Sequence, residues 1–167
     1  MPPPPDPRAA GRGERPAFDP AEVRRDLEGS ARARFGDALV DEALASPAFV
    51  LAKHYYGLSP PPILQPDGSY RFPEPPTAML IRRDGAWLAA RAGGGFAPVD
   101  PAKAAALEAA LGEPAFRSEP AYLEPTCTDA GASLLWLKLP GRPTLFRKGA
   151  CGGTARTERA VFLVLDA

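Results

Sequence analysis

Three stretches of this sequence predict an α+β fold: N-terminal helices, then an antiparallel sheet of two hairpins with a helix inserted between them. Asp19-Pro20 opens a run in which Val23, Leu27, Ala31 and Phe35 recur at four-residue steps, one stripe of a helix. Asp84-Gly85, the dipeptide preferred in two-residue type I′ turns, separates two apolar runs. A second pair of runs flanks Pro140-Gly141-Arg142. The strand-helix-strand alternation of a doubly wound parallel sheet is missing.

Residues 1–17 are proline, glycine and arginine with little to bury, which predicts a disordered tether. Residues 18–58 read as helical. Asp19 is an N-cap, Pro20 takes the first helical position, and Phe18 and Val23 have hydrophobic-staple spacing. Gly36 breaks the helix, and Asp37 caps a second through Leu39, Val40, Ala43 and Leu44. Ser46-Pro47 reads as a third start, with a helix through Phe49, Val50 and Tyr56 that Gly57 ends. Residues 59–76 are a proline-rich strap, extended and stiff.

An α+β core over 77–167 follows, forming one domain with 18–58. In its first hairpin Met79, Ile81, Leu88 and Ala90 share one face and are the better core candidates; Leu80, Arg82, Trp87 and Ala89 share the other. Gly93-Gly94-Gly95 is a flexible exit. Asp100-Pro101 repeats the cap-and-proline start of a helix that runs to Gly112. The second hairpin spans 132–139 and 143–148, with Leu134–Leu139 apolar enough for a strand covered on both faces. In the segment 154–166 the first half favours helix, whereas Val161–Leu165 favours a buried strand; the reading leans to a final strand. Helices are expected on one side of the sheet.

Composition excludes more than it selects. A hydrophobic content of 45% supports a real core. Net charge is zero, from 20 basic and 20 acidic residues, without the basic stripe of a nucleic-acid binder. Arg82-Arg83 and Arg147-Lys148 are the nearest candidates and read as solvated strand ends. Arg outnumbers Lys in an Ala-, Gly- and Pro-rich chain, as GC-rich bacterial coding would produce. No apolar run reaches about 18 residues, so no transmembrane helix is predicted. A metal site or bound cofactor has no supporting pattern: one His and two Cys show neither CxxC nor HxxxH spacing, and no phosphate-loop motif follows the glycines.

Cys127 and Cys151 bracket the second hairpin and read as a structural disulfide closing the 128–150 loop, worth about 3 kcal/mol by chain entropy. The pair and the proline-rich start point to a periplasmic or secreted protein; the alternative is a cytoplasmic helper with buried free thiols. In Cys151-Gly152-Gly153-Thr154-Ala155-Arg156, a cysteine in a glycine-rich turn before an arginine offers an anion cradle. The loop resembles the sulfurtransferase loop of the rhodanese type, with a Cys and a nearby Arg. It has one residue fewer between them than the cysteine-phosphatase motif. Both families build this loop on a parallel sheet. His54 reads as a structural histidine on the third helix. Tyr55, Tyr56, Tyr70 and Phe72, beside the proline-rich strap, are candidate interface aromatics. The sequence thus leans away from an enzyme. It favours an exported domain acting through another protein or an envelope component, with a thiol enzyme or oxyanion binder at Cys151 and Arg156 as the alternative.

Overall fold

The computed structural model describes residues 18–58, 60–127 and 131–167; the expected tether at 1–17 lies outside them. Helix α1 (Pro20–Phe35) starts where Asp19 accepts a hydrogen bond from the Ala21 amide at 2.9 Å. It buries Val23, Leu27, Ala31 and Phe35, the predicted stripe. Gly36, at φ 87°, ends it and is itself the N-cap of α2 (Asp37–Ala45). Asp37 is therefore the first residue of α2 rather than its cap, and it pairs with Arg32 at 3.2 Å. Arg32 also reaches Glu28 and Asp41 at 2.9 Å, which ties the two helices across the break.

The third helix is absent. Phe49–Tyr55 is strand β1, and it lies at the centre of the sheet. A small hairpin, β2 (Ile63–Leu64) with β3 (Tyr70–Arg71), forms within the strap. Strands β4 (Thr77–Arg83) and β5 (Ala86–Ala90) pair through Asp84-Gly85, both at positive φ as a type I′ turn requires. The triple glycine is a turn into another strand, β6 (Phe96–Pro98). After it come α3 (Pro101–Gly112), the short α4 (Pro114–Ser118), β7 (Ala132–Lys138), β8 (Leu145–Gly149) and α5 (Ala155–Leu165). The strand leaned towards at the C-terminus is thus α5. Thr157, Ala160, Val161 and Val164 are its buried residues, a helical spacing that outweighs the β-propensity of the run.

Six strands form one antiparallel sheet in the order β6-β5-β4-β1-β7-β8. Helices cover both faces, not one. Val50, Ala52, Leu80, Trp87, Ala89, Leu135 and Leu137 pack with α3, α4 and α5. Phe49, Leu51, Met79, Ile81, Ala90, Leu134 and Trp136 pack with α1 and α2. Both faces of the first hairpin are therefore core. No described helix is long and apolar enough to cross a membrane.

Candidate functional site

Cys127 and Cys151 lie at disulfide distance, with Cα atoms 6.2 Å apart. The register explains why. Ser133 pairs with Gly149 at the end of the β7–β8 ladder, so the chain leaving β8 runs beside the one entering β7. Thr126 then returns to donate its amide to the Cys151 carbonyl at 3.3 Å.

The turn from Cys151 leads into α5, where an anion cradle was expected. The protein fills that position itself. Glu119 accepts the Arg156 amide at 3.0 Å, the Thr157 amide at 2.6 Å and the Thr157 hydroxyl at 2.6 Å, so its carboxylate sits on the positive end of α5. The Arg156 guanidinium reaches Glu113 at 3.1 Å. Thr154 is turned inward and exchanges hydrogen bonds with the Ala150 amide and carbonyl. Gly152 and Gly153 lie against Thr126 and Leu123. With an antiparallel sheet and these internal partners, the resemblance to sulfurtransferase loops does not extend to structure. Nearby, Glu158 is held above the usual carboxylate range, first by burial and then by the charge of Glu119.

Arg147 is not a solvated strand end. It is buried, stacks on the Phe116 ring, and donates to the Phe116 and Arg117 carbonyls near the end of α4. Burial pushes its guanidinium below its ordinary value, with Glu119 opposing. Arg82 and Arg83 are matched by Glu108 at 3.5 Å and Glu42 at 2.7 Å.

A polar cluster that sequence reasoning missed lies under α1. Lys53, only 7% exposed, donates to Asp26 at 2.7 Å, Ser30 at 2.7 Å and the Tyr55 hydroxyl at 2.8 Å. Tyr55 donates to the other oxygen of Asp26. Burial acts to lower the Lys53 pKa, but its hydrogen bonds to Asp26 and Tyr55 outweigh that, and the net direction is upward. Tyr55 is raised too, by burial and then by Asp26. An ammonium and a phenol, both held more firmly protonated, are poor proton acceptors at neutral pH. A cleft of about 240 Å³ adjoins the cluster, lined by Phe18, Glu22, Asp26, Tyr55, Tyr56 and Lys148 among others.

His54 points to the opposite face of β1. Its Nδ1 meets the Ser133 hydroxyl at 3.1 Å, and its ring packs on Tyr56 and Phe162. Burial lowers its pKa. It is a strand residue, not a helical one, and its ring nitrogen meets Ser133 rather than a cysteine. Among the described residues no group of three or more His, Cys, Asp or Glu is placed to hold a metal ion.

The remaining candidates separate by exposure. Tyr55 is half-buried and turned to Asp26, whereas Tyr56, Tyr70 and Phe72 are exposed. Tyr70 and Phe72 belong to the β2–β3 arm, where Leu58, Ile63 and Leu64 are exposed as well. Comparison with protein-family models, curated proteins and solved structures returns no match.

Proposed function

We propose that this chain is an exported, non-enzymatic binding module that engages another protein or an envelope component through its proline-flanked arm. The observation that carries this reading is the exposure of the arm: Tyr70 and Phe72 are 65% and 64% exposed, beside Leu58, Ile63 and Leu64. The two strands of the arm pack mainly on each other. A lone two-stranded hairpin is marginal in water, and clustered exposed apolar side chains mark interaction surfaces. Prolines at 60–62 and at 73, 75 and 76 remove backbone donors on either side of it, so the strand edge is only two residues long and the exposed side chains are the larger part of what the arm offers. Export is supported by the cysteine pair at bonding distance. The thiol-enzyme alternative has less support, since Glu113 and Glu119 already occupy the Arg156 guanidinium and the amides of α5.

The test is cross-linking in cells that express the full chain, comparing the wild type with a Tyr70→Ser/Phe72→Ser double variant. The expected result is a discrete cross-linked envelope protein, lost in the variant while its circular dichroism and stability stay unchanged. Equal cross-linking by both proteins, or none by the wild type, overturns the assignment.

A further inference from the structure

Residues Glu119–Cys127 contain neither helix nor strand, yet they lie along the sheet edge β8 and the start of α5. Four attachments hold them. Glu119 sits on the α5 amides, and the Ala121 carbonyl accepts the Lys148 amide at 2.8 Å. The Tyr122 ring stacks on Phe18 at 6.3 Å, beneath the Lys148 ammonium at 5.4 Å. At the far end Thr126 bonds to Cys151, and Cys127 meets Cys151 sulfur to sulfur. Cys127 is exposed and Cys151 half-buried, so the sulfur pair faces solvent on one side.

We infer that the Cys127–Cys151 bridge is a redox latch on the Glu119–Cys127 segment: a dithiol reductant releases this segment from its far end and uncovers the β8 edge. The inference does not rest on the arm. A reductant thiolate attacks the exposed Cys127 sulfur, forming a mixed disulfide, and Cys151 leaves as a thiolate that takes a proton. The second thiol of the reductant then attacks its own sulfur in the mixed disulfide and releases Cys127 as a thiol. The bridge gains two electrons and two protons, and the dithiol loses the same and closes to its cyclic disulfide. What then holds the far half is the Thr126 and Ala121 hydrogen bonds, the Tyr122 ring between Phe18 and Lys148, and the contacts of Leu123 and Thr126 with Gly153 and Gly152, each modest. Glu119 stays on α5, so the opening is local. The Lys148 amide, which points away from β7 towards Ala121, reports it directly.

The experiment is amide exchange on the full chain, oxidised and in dithiothreitol, at several low denaturant concentrations. Lys148 is compared with Leu51 and Trp136 of the central strands. Loss of the bridge lowers global stability, so all three speed up; the latch predicts an additional acceleration of Lys148 relative to Leu51 of about tenfold or more. That extra exchange should be insensitive to denaturant, as local opening is. A Cys127→Ser/Cys151→Ser variant should show the same extra exchange without reductant and no response to it. Acceleration of Lys148, Leu51 and Trp136 by one common factor makes the bridge a uniform staple and overturns the latch. So does a reduced chain or variant that no longer folds.

Discussion

Lys53 is the residue on which α1 and the sheet agree, because its ammonium satisfies Asp26, Ser30 and Tyr55 together. Lys53→Met removes the charge but keeps the stem packed. Asp26 and Tyr55 then lose a donor in a half-buried position. The expected cost is about 2–3 kcal/mol in urea denaturation, below that of a fully buried pair because Asp26 stays partly solvated. The pH profile separates this from a packing defect. The folded pKa values of Lys53 and Tyr55 both lie above their ordinary 10.5 and 10.0. Their contribution is full below those values and is lost as pH rises through the raised folded ones. The wild type should therefore lose stability steeply on the alkaline side of pH 10, and a Lys53→Met/Tyr55→Phe double variant, which carries neither titrating group, should lose less over the same span. Parallel alkaline profiles would show that the cluster does not couple protonation to folding.

At the scale of elements, the most informative misreading is β1. Phe49-Val50-Leu51-Ala52 shows no strand alternation because helices cover both faces, and Ser46-Pro47 imitates a cap and first turn. An unbroken apolar run is compatible with a buried helix or a buried strand, and local signals do not choose between them. The reverse happened at α5, where β-branched residues masked a helical spacing present in Thr157, Ala160, Val161 and Val164. The capped helices and the Asp84-Gly85 turn were legible because their signals are local. Two glycines test how tightly the elements meet. At Gly131 a Cβ would lie 2.4 Å from the Tyr55 carbonyl and 2.8 Å from the His54 ring, where β1 and β7 are paired. Gly131→Ala must move backbone and should cost about 1–3 kcal/mol. At Gly153 the nearest atom, also at 2.4 Å, is the tip of exposed Leu123, which can swing away. Gly153→Ala should stay within about 0.5 kcal/mol. Thermal denaturation of both decides it, and equal losses would contradict the distinction between backbone and side-chain neighbours.

For the whole molecule, the cysteine spacing indicated the closure of 128–150, but nothing local announced what surrounds it. Glu119 and Thr157 are far apart in sequence, and only folding sets that carboxylate on α5. The same holds for Asp26 and Lys53, whose meeting requires β1 to be a strand under α1. The core does not depend on the bridge. Two apolar layers, one on each face of a six-stranded sheet, bury residues from all five described helices. The bridge joins the turn between β8 and α5 to the Glu119–Cys127 segment and crosses neither layer. Its global effect is therefore the chain-entropy term, about 3 kcal/mol for a loop of this length. A domain of this kind has about 5–15 kcal/mol in total, so its fold survives the loss. Cys127→Ser/Cys151→Ser should accordingly unfold in one cooperative urea transition, with a slope no shallower than the wild type's because the unbridged unfolded chain is more expanded, and with stability lowered by about 3 kcal/mol. An unfolded variant would mean that the two layers do not suffice. An unchanged midpoint would mean that the bridge constrains the unfolded chain no more than the native one.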